Sequence, residues 1–133
     1  MAKALVTGAT SGIGLEFAHQ LAEKGYDLIL VSRDLNRLNK TAQELNSKYN
    51  LKAAVFKADL GTDEGIKSTQ ELISEVEIEF VVNNAGLGLN KPFHKADLAE
   101  EVNLLNVLVK APLEICHTSI NQMKQRHKGF IVN

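Results

Sequence analysis

The chain has 133 residues, 44% of them apolar or aromatic (AVILMFWYC) and 23% charged. This is a globular composition that excludes disorder and fits one domain with a real core. The 15 Lys and Arg against 16 Asp and Glu give a net charge of −1, which offers no footprint for nucleic acid or an anionic membrane. A single cysteine, Cys116, fits a reducing compartment. The apolar burst after Lys3 is too short for a signal peptide, and no run approaches a membrane span. A soluble cytoplasmic protein without nucleic-acid or membrane partners is therefore expected.

Short apolar runs recur along the chain at residues 4–6, 28–31, 53–56, 80–82 and 130–132. They lack polar alternation, which predicts strands covered on both faces, as in a parallel sheet. Between the first two runs, Ile13, Phe17 and Leu21 recur with helical spacing. Leu35, Leu38, Ala42, Leu45 and Tyr49 mark a second helix, with Asp34 as its cap. Ile66, Ile73 and Val76 mark a third, opened by Thr62 with Asp63 and Glu64 in the first turn. Strand and helix in alternation predict an α/β doubly wound parallel sheet of the Rossmann type.

After a loop carrying Gly86, Gly88, Asn90 and Pro92, residues 97–126 read as one long helix. Leu98, Val102, Leu105, Val109, Leu113, Cys116, Ile120 and Met123 form one stripe, widened by Leu104, Leu108 and Ile115 into a second apolar face. Pro112 must kink this helix, since it lacks an N–H and crowds the carbonyl of Leu108. Gly129 is expected to end it before the fifth strand.

The most informative motif is Thr7-Gly8-Ala9-Thr10-Ser11-Gly12-Ile13-Gly14, which leaves a strand and opens a helix. Glycines there allow a tight turn and let backbone amides approach a diphosphate at the helix N-terminus. With Asp59-Leu60 after the third strand and Asn83-Asn84-Ala85-Gly86 after the fourth, the chain resembles the short-chain dehydrogenase/reductase family throughout its length. The resemblance implies a dinucleotide-binding domain over residues 1–133, incomplete relative to the family after the fifth strand. It implies a cofactor site of Gly8, Thr10, Ser11, Gly12, Ile13 and Gly14, with Asp59 and Leu60 flanking adenine and Asn84, Ala85 and Gly86 lining the nucleotide. At the end of the second strand, Ser32 replaces the carboxylate that would bind a ribose 2′-hydroxyl, and Arg33 can grip a phosphate with its planar fork. NADP(H) is therefore expected over NAD(H).

Similarity to the family also implies a tyrosine acid/base with a lysine four residues later, and a serine. Tyr26 is followed at that spacing by Leu30, and Tyr49 by Ala53. Neither pair supplies the cation a phenol needs to act as a base near pH 7. The family serine falls just past Asn133 and its tyrosine and lysine later still, so no catalytic residue is assigned within the chain. The family's helix asparagine matches Leu108, and Asn106 lies about 200° away around an ideal helix. His19, His94, His117 and His127 have no metal-ligand spacing, and no metal site is expected.

Three readings follow from these residues. The chain is the cofactor-binding part of an NADP(H)-dependent oxidoreductase, inactive alone; or a non-catalytic NADP(H)-binding module; or an assembly protein. A homo-oligomer is expected through helix 97–126 or the bare edge of the last strand.

Overall fold

The computed structural model describes all residues, 1–133. Five strands form one parallel sheet: β1 (Lys3–Thr7), β2 (Asp27–Ser32), β3 (Ala53–Lys57), β4 (Phe80–Val82) and β5 (Phe130–Val132). Their spatial order is β3-β2-β1-β4-β5. The direction of winding reverses between β1 and β4, and this creates a crevice at the carboxyl ends of those two strands.

Alternate residues of the central strands point to opposite faces, and each face has its own core. On one side Ala4, Val6, Leu28 and Leu30 pack with Leu21 of α1 (Gly12–Glu23) and Leu38 and Leu45 of α2 (Leu35–Tyr49). On the other, Leu5, Ile29, Val31 and Val81 pack with Ile66 and Ile73 of α3 (Asp63–Glu75) and with Ile115. The continuous apolar runs of β1 and β2 thus satisfy two layers at once. The outer strands depart from the expectation of cover on both faces: β3 has no fully buried residue, and Phe130 of β5 is about half exposed.

Both side-chain caps read from the sequence are present. The Asp34 carboxylate accepts from the Arg37 amide at 3.1 Å, and the Thr62 hydroxyl accepts from the Gly65 amide at 3.1 Å. The first helix differs from its expected packing. Ile13 is 71% exposed, and the buried face runs through Gly14, Ala18, Leu21 and Ala22. Small residues let α1 settle closely on the sheet, leaving no room beneath it for Ile13.

The expected single helix at 97–126 is three segments: α4 (Leu98–Leu105), a π-turn (Asn106–Lys110) and α5 (Ala111–Arg126). Asp97 and Glu100 open α4 with a capping box. The Lys91 ammonium and the Asp97 amide hold the Glu100 carboxyl below its ordinary value. In the π-turn the Ala111 amide donates to the Asn106 carbonyl, one residue wider than an α-helical bond. Pro112 follows immediately, and the widened turn accommodates a residue that can neither donate to the preceding turn nor tolerate its carbonyl.

The predicted apolar stripe is largely the outer face of these segments. Leu98 is 78% exposed and Leu113 66%, and Val102, Leu105, Val109 and Ile120 are exposed as well. The buried line is Val107, Ala111, Ile115, Ser119 and Met123, a clean four-residue repeat mixing small and large side chains. Periodicity alone could not choose between the two faces; close approach to α3 and the sheet selected the one containing Ala111 and Ser119. The helix ends at His127, which adopts left-handed backbone at φ 54°, rather than at Gly129. Gly129 serves packing instead, since a Cβ there would collide with Met123.

Candidate functional site

At the carboxyl edge of the sheet lies a cleft of about 850 Å³. Its floor is built by the turn after β1. Gly8 has φ +65°, and a Cβ on it would sit 2.9 Å from Ala85 Cα and 3.0 Å from Asn84 Nδ2. Gly14, one turn on, packs its bare α-carbon against the Gly8 carbonyl. Larger residues at either place would push the β1–α1 turn away from the Asn84–Gly86 loop.

Thr7 locks these two loops together. Its hydroxyl accepts from the amides of Asn84 and Ala85, both at 3.0 Å, and donates to the Val82 carbonyl at 3.4 Å. The Asn84 side-chain amide donates back to the carbonyls of Thr7 and Gly8 at 3.3 and 3.2 Å. The Asn84 amide group is therefore engaged in holding the glycine turn. Thr7 stands first in the glycine motif, as the last residue of a strand directly before the first glycine, but its part in joining the two loops is visible only in the structure.

Of the residues picked out in the sequence, Gly8, Thr10, Ser11, Ser32 and Arg33 border the cleft on one side. Leu60, Asn84, Ala85 and Gly86 border it on the other. Gly12, Ile13, Gly14 and Asp59 do not. Gly12 begins α1 with φ +56° and Ile13 projects outward, while Asp59 accepts from the Gly61 amide at 2.9 Å and so shapes its own turn. Ser11, which borders the cleft, is the N-cap of α1, yet its hydroxyl makes no capping bond, which leaves the helix's first amides without a side-chain partner.

The structure adds two cations to Arg33 at one end of the cleft, Arg37 and Lys57. Arg37 comes from the first turn of α2, and its guanidinium donates to the Thr10 carbonyl at 3.4 Å across the opening. Neither residue sits in a recognisable motif. Arg37 follows Arg33 by four positions, and Lys57 lines the same cleft because β2 and β3 pair side by side, Ser32 opposite Lys57.

Leu108, at the position matched to the family's helix asparagine, stands over Gly86, its Cδ2 3.5 Å from where a glycine Cβ would be. Asn106 turns elsewhere and donates to the Gly61 carbonyl at 2.9 Å. The two tyrosines lie away from the cleft. Tyr26 donates to Glu79 at 3.1 Å, and burial, then the Glu79 hydrogen bond and charge, raise its pKa, the opposite of what a catalytic base needs. Tyr49 contacts His19. No group of three or more His, Cys, Asp or Glu side chains is placed to hold a metal ion. No helix is long and apolar enough to cross a membrane.

The arrangement fits a dinucleotide. A glycine turn that a Cβ would fill and open helix amides suit a diphosphate, and the cationic end suits a further phosphate. Residues 2–133 match the model of the family described as short chain dehydrogenase. A very-long-chain 3-oxoacyl-CoA reductase-like protein of Arabidopsis thaliana is 34% identical over 98% of this chain and 43% of its own length. A very-long-chain 3-oxoacyl-CoA reductase of Laccaria bicolor is 35% identical over 98% of this chain and 40% of its own. Among solved structures, a short-chain dehydrogenase from Sphingobium yanoikuyae in complex with NADPH superposes with a TM-score of 0.95 at 28% identity, covering 100% of this chain and 52% of that one. The chain thus spans about two fifths of the length of these curated relatives and about half of that solved structure. It belongs to the short-chain dehydrogenase family, of which it carries the NAD(P)-binding region.

Proposed function

We propose that this chain binds NADP(H) in preference to NAD(H), as the cofactor-binding part of a carbonyl reductase. The observation that carries the reading is that Arg33, Arg37 and Lys57 all line the cleft. Ser32 rather than a carboxylate stands at the end of β2, and the Asp34 carboxylate, which lines the cleft too, is engaged by the Arg37 amide. In this reading the amides between Gly8 and Gly14 hold the diphosphate and Leu60 covers one face of the adenine. The three cations receive the ribose 2′-phosphate, and Ala85, Gly86 and Leu108 border the nicotinamide end. Asp59 supports the adenine side through its bond to the Gly61 amide. When bound, such a cofactor supplies a hydride.

For the whole protein we infer reduction of a carbonyl, the reaction class in which the 3-oxoacyl-CoA reductases fall. The 133-residue chain by itself is assigned no turnover, because neither Tyr26 nor Tyr49 has a lysine four residues later or borders the cleft. Calorimetric titration of this chain with NADPH and NADH, with ketone reduction followed in parallel, tests the reading. The expected result is micromolar NADPH binding, weaker NADH binding and no reduction. Equal affinity for the two cofactors removes the NADP(H) assignment, and turnover by this chain removes the assignment of a binding part.

The exposed line of Leu98, Val102, Leu105, Val109 and Leu113 supports a second reading, self-association, since side chains at this spacing form a continuous apolar patch. Sedimentation at micromolar concentration is expected to show a dimer or larger species, and a clean monomer counts against it.

A further inference from the structure

The turn between β3 and α3 contributes Leu60 to the cleft, yet it belongs to no regular element. Part of its shape comes from within. The Asp59 carboxylate accepts from the Gly61 amide at 2.9 Å, and the Thr62 hydroxyl donates to the Asp59 carbonyl at 2.8 Å. The rest comes from a distant part of the chain. The Asn106 amide donates to the Gly61 carbonyl at 2.9 Å, and the Asn103 amide covers Gly61 so closely that a Cβ's three nearest neighbours would all be Asn103 atoms. One turn further, the Lys110 ammonium meets the Asp63 carboxylate at 2.6 Å.

Asn103, Asn106 and Lys110 follow each other by three and four positions, so they share one face of the α4 and π-turn segment. The next residue after Asn106, Val107, is buried and lines the same cleft from across the turn, and Leu108 stands over Gly86. One short segment therefore touches the Leu60 wall, contributes the Val107 wall and reaches the Gly86 loop. The Asn106 carbonyl accepts the π-turn's wide bond while its side chain grips Gly61, so the helical irregularity and the grip originate at a single residue. Asn103 Oδ1 is buried with no partner. That arrangement is costly, and it is enforced by packing on Gly61 rather than by any bond of its own.

We propose that Asn103 and Asn106 are positioning residues for nucleotide binding: they clasp the 59–62 turn to the π-turn segment and fix the gap between Leu60 and Val107 into which an adenine ring enters. The inference rests on the reading of the cleft as a dinucleotide site. It assigns a role to two asparagines that contact neither the cleft nor a cofactor.

The experiment uses the full 133-residue chain with NADPH and 2′,5′-ADP as probes. Asn106→Asp keeps the side-chain shape and removes its only donor. It is expected to weaken both probes by about tenfold, the size of one lost hydrogen bond. In the ligand-free protein, hydrogen exchange at the amides of Gly61 and Thr62 is expected to quicken while Leu5 and Val6 in β1 keep their protection. Gly61→Ala should weaken binding because the new methyl displaces the Asn103 amide, and Asn103→Ala, which removes that amide, should weaken it as well. A variant that binds both probes like wild type overturns the clasp and leaves the nucleotide reading standing. So does a loss that follows a uniform rise in exchange across β1, since that marks a general loss of fold. Failure of the wild-type chain to bind NADPH overturns the nucleotide reading and the clasp together.

Discussion

Gly8→Ala is expected to raise the Kd for NADPH by more than about 100-fold, a loss of at least about 2.7 kcal/mol of binding free energy. Two separate costs converge at this position. Its backbone is left-handed, at φ +65°, which disfavours any L side chain by about 1–2 kcal/mol. Its new methyl would also lie 2.9 Å from Ala85 Cα, a backbone atom, so the turn or the Asn84–Gly86 loop must move. The same movement disturbs the bonds from Asn84 to the Thr7 and Gly8 carbonyls and misdirects the amides proposed to hold the diphosphate. Gly25→Ala is the matched control. That residue also has positive φ, at +86°, but open space surrounds it and it does not border the cleft. It should lose stability in a denaturant titration by about 1 kcal/mol while keeping its NADPH affinity. If Gly8→Ala binds as tightly as Gly25→Ala, the glycine turn is not the phosphate cradle.

Replacing both Arg33 and Arg37 by alanine is expected to cost about 100-fold in NADPH affinity while changing NADH affinity less than about twofold. A charge-assisted hydrogen bond to a phosphate contributes about 1.5–3 kcal/mol, so each arginine alone should account for about tenfold. Arg33 reaches the cleft from the end of β2 and Arg37 from the start of α2, and only the 2′-phosphate distinguishes the two cofactors at that end. The NADPH preference should also shrink as salt is raised, because exposed charges are screened over about 8–10 Å. Arg33→Lys should restore only part of the loss, a point charge replacing a fork. An equal fall in NADH affinity would place these arginines in general folding or in diphosphate binding rather than in cofactor choice.

How much of this was legible in the sequence varied with the kind of residue. The strands showed because β1 and β2 are buried on both faces, and a run such as Leu28–Val31 is apolar throughout. The glycine turn showed because part of its constraint is local: Gly8 takes φ +65° and Gly14 packs on the Gly8 carbonyl, and such needs are written as residue type and spacing. The caps at Asp34 and Thr62 were equally local. The outer face of the 98–126 segments was misleading for a physical reason. Two apolar faces satisfied the helical period, and the sheet accepted the one with Ala111 and Ser119, where small side chains allow close packing. Ile13 failed in the same way against Gly14 and Ala18.

By itself the sequence determined the alternation of strand and helix, the glycine turn and the family to which this chain belongs, all of which follow from local pattern. Only the tertiary structure decided that Arg37 and Lys57 join Arg33, that Thr7 ties the β1 turn to Asn84 and Ala85, and that Asn103 and Asn106 close on Gly61. Apart from Arg33 and Arg37, which are four positions apart, those contacts join residues some 20 to 80 positions apart in sequence. They depend on which strands end side by side and on where the chain widens into a π-turn, and neither short-range periodicity nor a motif encodes such distances.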